Sequence, residues 1–211
     1  MTKSILSCQI EDLGKRFQRE WIFRKLTVSL AVGEPIAVIG PNGSGKSTLA
    51  QIIAGHLPAT EGNCTWLDTH QNPIPESDFF RFVGYAAPYL ELVEEFTLLE
   101  LLHFHAQFKP WLPGVSSQDV AELIQLEKHK NKAVKYFSSG MKQRVKLGLA
   151  FFSQSPCLFL DEPTANLDAQ GARWYLEHVE NLLSNRWVMI CSNEPKEYEF
   201  AKNVIDIRQL K

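Results

Sequence analysis

Three short apolar runs punctuate the chain: Pro35–Ile39, Cys157–Leu160 and Trp187–Cys191. Runs of this length are short for helices and fit strands of a parallel sheet covered on both faces. Between and after them the apolar period lengthens. Ser47–Ala54 closed by Gly55, Val145–Phe152 and Ala172–Leu183 read as helices, the last with Ala172, Tyr175, Leu176, Val179, Leu182 and Leu183 on one stripe. Strand, loop and helix in repetition predict an α/β fold with a mainly parallel sheet, ending in a strand at Val204–Ile207.

Less regular alternation at Ile5–Ile10 and Leu26–Leu30 predicts an N-terminal antiparallel, hairpin-like β subdomain beside the main sheet. Thr97–Phe108 and Ser117–Leu126 read as helices separated by Lys109–Gly114, where two prolines and a glycine mark a loop. The expected organisation is one domain over residues 1–211. A helical subdomain at 88–150 is inserted into an α/β core built from 1–87 and 151–211.

Composition narrows the picture. At 211 residues and 45% apolar, the chain can fill a sizeable core. Its net charge of -2 offers no overall basic footprint, so no nucleic-acid partner is expected. No window approaches about 18 uninterrupted apolar residues, and residues 1–11 lack the apolar core of a signal peptide. Cys8, Cys64, Cys157 and Cys191 lie far apart, which predicts buried, reduced thiols. His103, His105 and the other histidines form no metal-ligand spacing. Trp66, Trp111 and Trp174 are expected to be packing residues.

The chemistry starts where the first strand ends. Gly40-Pro41-Asn42-Gly43-Ser44-Gly45-Lys46-Ser47 matches G-x-x-x-x-G-K-[ST], between an apolar strand and a helix. Glycines let successive N–H groups curl around an anion, and the helix N-terminus adds its partial positive charge. Gly40 through Thr48 are therefore the expected nucleotide-binding residues of a P-loop NTPase core, Lys46 reaching the β- and γ-phosphates of ATP and Ser47 ligating Mg²⁺. Cys157–Leu160 runs into Asp161-Glu162-Pro163. There Asp161 is expected to hold Mg²⁺ through water and Glu162 to orient and deprotonate an attacking water.

Ahead of that strand stands Tyr136-Phe137-Ser138-Ser139-Gly140-Met141-Lys142-Gln143-Arg144, and with it the chain resembles the nucleotide-binding subunits of ABC (ATP-binding cassette) transporters. Their signature reads L-S-G-G-Q. Here Phe137 stands for Leu, Ser138 keeps Ser, Ser139 replaces the first Gly, Gly140 keeps the second and Met141 replaces Gln. The resemblance implies that Ser138 and Gly140 form a second anion site facing the γ-phosphate held by another subunit. Two such domains then close head to tail on two ATP molecules. It also implies an adenine-stacking aromatic at Phe17, with Trp21 a nearby rival and a core position the alternative for Phe17. Asp168, in Ala165-Asn166-Leu167-Asp168, takes the family's acidic loop position and also suits an N-cap for the Gln170–Leu183 helix.

Two departures from the family matter. After Phe82-Val83-Gly84-Tyr85 the family usually places a glutamine that helps hold Mg²⁺; here the chain runs Ala86-Ala87-Pro88-Tyr89. After Trp187–Cys191 the family usually has a histidine, and here Asn193 follows Ser192. Asn193 can donate to a γ-phosphate but never as a cation, so slowed but surviving hydrolysis is expected.

The basic run Lys128–Lys132 reads as a solvated face, and Glu91–Phe96 as a candidate contact for a membrane partner. The expected function is an ATP-hydrolysing subunit, cytoplasmic and peripheral on the inner face of the membrane, powering a separate permease chain. The alternative is an ATP-gated dimerising module with little or no hydrolysis. An ABC ATPase acting on ribosomes or DNA fits less well, since the chain has no room for a second cassette or a long coiled coil.

Overall fold

The computed structural model describes residues 5–183 and 185–210. In chain order the elements are β1 (Ile5–Phe17), β2 (Glu20–Ala31), β3 (Ile36–Ile39), α1 (Lys46–Ile53), β4 (Glu61–Asp68), α2 (Glu76–Phe79) and β5 (Val83–Ala86). Then follow α3 (Leu98–Phe108), α4 (Ser117–Leu123), α5 (Ser139–Phe152), β6 (Cys157–Asp161), α6 (Ala169–Leu182), β7 (Trp187–Cys191) and β8 (Asn203–Asp206).

Five strands form a parallel sheet in the order β5-β6-β7-β3-β8, with every described pairing parallel. β6 and β7 are buried along their whole length, as apolar runs covered on both faces should be. The crossovers put β3 between β7 and β8, so the loops leaving β3, β6 and β7 lie side by side at one end of the sheet. That is where an open parallel sheet binds ligands.

β2, β1 and β4 make a separate antiparallel sheet. β1 and β2 run longer than the alternation predicts. Register shifts between Ile10 and Leu13, Leu13 and Lys15, and Lys15 and Arg16 interrupt the period of two, so the pattern fades while the pairing continues. Pairing with β4 also brings Cys8 Sγ within 3.4 Å of Cys64 Sγ. All four thiols are free, but Cys64 is only half-buried, which corrects the expectation of uniform burial.

The two faces of the parallel sheet carry two apolar clusters. One joins β1, β2 and β4 to α1 through Leu13, Phe23, Leu49, Trp66, Phe159 and Trp187. The other joins the helices of 98–152 and α6 to the opposite face through Leu102, Val145, Phe151, Leu158, Tyr175 and Ile190. α3 begins at a capping box in which Thr97 accepts from Glu100 N–H, a local device worth about 1 kcal/mol. α4 stops at Leu123, earlier than Leu126, because Gln125 takes a left-handed φ of 61°. Trp66, Trp111 and Trp174 each bury the ring and donate Nε1–H, to Ile53 O, Ser117 Oγ and Leu123 O respectively. Lys128–Lys132 lies on the solvated surface, with only Lys130 partly covered.

Candidate functional site

Gly40–Gly45 links β3 to α1, and Gly40, Gly43 and Gly45 all have positive φ. Gly45, the N-cap of α1, has φ 108°, and a Cβ there would lie 2.3 Å from Ile22 Cγ2 of β2. Only glycine satisfies both the backbone turn and that contact. Lys46 is 4% exposed, and its Nζ donates to Gly40 O at 2.8 Å and Pro41 O at 3.2 Å. The ammonium therefore sits inside the curl of the loop. The Ser44 hydroxyl oxygen is buried there with no hydrogen-bond partner.

Asp161 closes β6 beside this loop. Burial pushes its carboxyl above the usual carboxylate range and Glu162 adds to the rise, while the nearby Ser47 hydroxyl, the hydrogen bond from Tyr89 and the charge of Lys46 oppose it. Its Oδ2 accepts from Tyr89 OH at 3.0 Å, and its Oδ1 is buried without a partner. An unpaired oxygen on a buried carboxylate, next to a serine hydroxyl, fits a hard divalent cation that keeps several waters. Glu162 follows with φ 44°, unusual for a non-glycine residue, and its N–H donates to Cys191 O at 2.8 Å. The backbone thus leaves the strand abruptly between the two carboxylates, giving Asp161 and Glu162 different surroundings.

Asn193, in the loop after β7, donates Nδ2–H to Asn42 Oδ1 at 2.6 Å. Residues 42, 46, 47, 161 and 193 therefore converge at the ends of β3, β6 and β7. Phe17 lies at the tip of the β1–β2 hairpin, 48% exposed, with Lys15 Nζ 5.0 Å from its ring centroid. It is not a core aromatic. Its rival Trp21 is flanked by the guanidinium groups of Arg16 and Arg24 at 5.1 and 4.1 Å, which leaves Phe17 the freer ring.

Ser138 and Gly140 lie at the start of α5, which begins six residues before the predicted Val145. Ser138 Oγ accepts from Met141 N–H and caps the helix. A Cβ on Gly140 would lie 2.8 Å from Asn166 O, so the helix start presses against the Asn166–Asp168 loop. Gln143 Nε2 donates to Pro163 O at 2.9 Å, and Arg144 reaches Asp168 at 3.6 Å. Asp168 caps α6, accepting from Gly171 N–H at 2.7 Å. Among the described residues no hydrogen bond joins Ser138 or Gly140 to the Gly40–Thr48 loop.

Two groups escaped sequence reasoning. Tyr89 reaches Asp161, and Glu197, 5% exposed, accepts from the Thr164 N–H at 2.9 Å and from the Thr164 hydroxyl, pinning the chain just beyond Glu162. The separations of 72 and 33 residues leave no local pattern to find them by. A cavity of about 160 Å³ opens between β5 and the helices, lined in part by His56, Leu90, Glu91, Leu92, His105 and Lys109.

The sequence pattern of the family described as ABC transporter matches residues 23–165. This chain belongs to that family. The cassette is 29% identical over 204 residues to the linearmycin resistance ATP-binding protein LnrL of Bacillus subtilis, covering 94% of this chain and 65% of LnrL. It is 28% identical over 214 residues to the sulfate/thiosulfate import ATP-binding protein CysA of Photorhabdus laumondii, covering 97% of this chain and 59% of CysA. The cassette thus spans less than two thirds of the length of each. Its fold matches the dimeric post-hydrolysis structure of the ATP-binding cassette MJ0796 bound to ADP and Pi with a TM-score of 0.81, 19% identity and coverage of 95% and 94%. It also matches the ATP-binding subunit of an ABC transporter at a TM-score of 0.78 and 24% identity, with coverage of 92% and 82%. No described helix is long and apolar enough to cross a membrane.

Proposed function

We propose that the cassette binds Mg²⁺-ATP, pairs head to tail with a second cassette, hydrolyses ATP and powers a separate membrane permease at the cytoplasmic face. The observation that carries this reading is the convergence of Lys46, Ser47, Asp161 and Asn193 around one glycine-rich loop. Bound Mg²⁺ supplies charge neutralisation and orientation of the phosphates.

The chain's own residues divide the remaining work. Loop N–H groups and Lys46 take the β- and γ-phosphates, with Lys46 exchanging two carbonyl partners for phosphate oxygens. Ser47 and Asp161 hold the cation. Glu162 takes the proton of the attacking water, and Asn193 donates a neutral hydrogen bond to the γ-phosphate. Phe17 offers the adenine an exposed ring. Ser138 and Gly140 present a helix start to the nucleotide of the second cassette. Asp168, tied to Arg144 of α5, holds the Asn166–Asp168 loop against the helix start that carries them. The segment 88–150 forms the arm that meets the permease, with the cavity beside Glu91 as the point of contact. Relatives named for both import and resistance support transport without choosing a direction.

The neutral side chain of Asn193 favours a second reading, an ATP-gated dimer that cycles slowly. Turnover of Mg²⁺-ATP by the purified protein, abolished in Lys46→Ala and raised by adding the permease, supports the first. Nucleotide-dependent dimers with no turnover in either condition support the second.

A further inference from the structure

We propose that Tyr89 is a positioning residue of the cation site, its hydroxyl fixing the Asp161 carboxylate so that Oδ1 is left to ligate. This rests on the reading of Asp161 as a Mg²⁺ ligand.

A phenol hydroxyl has one proton to give and two lone pairs to fill. Here all three are assigned from three parts of the fold. Gln51 Nε2, on α1, donates to Tyr89 OH at 3.1 Å. Tyr85 OH, on β5, lies 2.9 Å away. Asp161 Oδ2, at the end of β6, is 3.0 Å away and accepts. With Gln51 and Tyr85 donating, the single proton of Tyr89 must go to Asp161. The carboxylate is thereby pinned by one oxygen, and the other is buried and unpaired. Gln51 lies four residues after Ser47 on α1, so one helix face supplies both the serine and the amide that orients Tyr89.

The backbone around Tyr89 is held as firmly. Leu90 N–H donates to Ala87 O at 3.3 Å across the turn, and the Lys146 ammonium of α5 donates to Pro88 O. Tyr85 is fixed in turn by stacking on Phe159 with centroids 5.9 Å apart. Pro88 has no N–H and no ligating side chain, so Tyr89 is the group through which this turn can reach the cation site.

The test is a Mg²⁺ titration of trinitrophenyl-ATP binding to the full chain, with thermal melting of each variant. Tyr89→Phe removes only the hydroxyl. It should raise the half-saturating Mg²⁺ concentration about 10-fold, at the lower end of the range for groups that orient metal ligands, and leave binding in EDTA unchanged. Gln51→Leu, which unlocks the hydroxyl without removing it, should shift the titration in the same direction by less. An unshifted titration in Tyr89→Phe overturns the proposal. Asp161→Asn separates the two readings: if it abolishes the Mg²⁺ dependence while Tyr89→Phe keeps it, only the role of Tyr89 fails. If neither variant shifts the titration, both fail.

Discussion

Asn193 holds Asn42 across 151 residues of sequence, through an amide-to-amide hydrogen bond of 2.6 Å that ties the loop after β7 to the phosphate loop. The contact places a neutral donor beside the phosphate loop, where the proposed mechanism has it donate to the γ-phosphate. Removing a transition-state donor costs about 100-fold or more in kcat. Asn193→Ala should therefore lower kcat by about 100-fold while changing ATP affinity little, measured by steady-state hydrolysis and equilibrium binding. Asn193→His adds a group that charges as pH falls through about 6.5. Its kcat should exceed that of the natural protein at pH 6, the advantage fading above pH 7.5.

Glu197 anchors Thr164 two residues beyond the proposed base. Glu197→Ala strands the part-buried N–H and hydroxyl of Thr164, at about 1–3 kcal/mol. For a chain of this size Tm should fall by about 2–12 °C. Hydrolysis should fall further than stability explains, because the backbone that aims Glu162 is released. Calorimetry and hydrolysis on the same samples check both.

Much of the site could be read from contiguous residues. Gly40–Ser47 and Cys157–Glu162 announce themselves because the physics of a phosphate loop and an acidic strand end is local. Tyr89 and Glu197 do not, since each acts on a partner brought near only by folding. The same distinction runs through the fold. β6 and β7 are buried on both faces and read as apolar runs, whereas β4 mixes Glu61, Asn63 and Asp68 with Trp66 and carries no clear period. α5 starts earlier than its apolar face because Ser138, a polar cap, sets the start.

His105 links stability to pH. Burial, with the nearby charge of Lys109, pushes its pKa down from 6.5 to about 4, although a backbone hydrogen bond at Leu149 works the other way. Its Nε2 lies 2.8 Å from Ser153 Oγ, and its ring stacks on Trp111. A depressed folded pKa means that the unfolded chain binds the proton first. This contribution is full above about pH 6.5 and is lost as pH falls toward 4. Burial lowers the His56 pKa as well, with the same sign. Calorimetry between pH 7.5 and 4.5 should show Tm falling through this window, with a shallower fall in His105→Phe.

Glu162, the proposed base, is placed by a left-handed backbone turn next to Asp161, the carboxylate proposed to hold the cation. The direct test is hydrolysis of saturating Mg²⁺-ATP by Glu162→Gln beside the natural protein. Turnover reduced about 100-fold or more, with ATP binding and melting temperature retained, is the predicted result. Turnover equal to that of the natural protein contradicts the account.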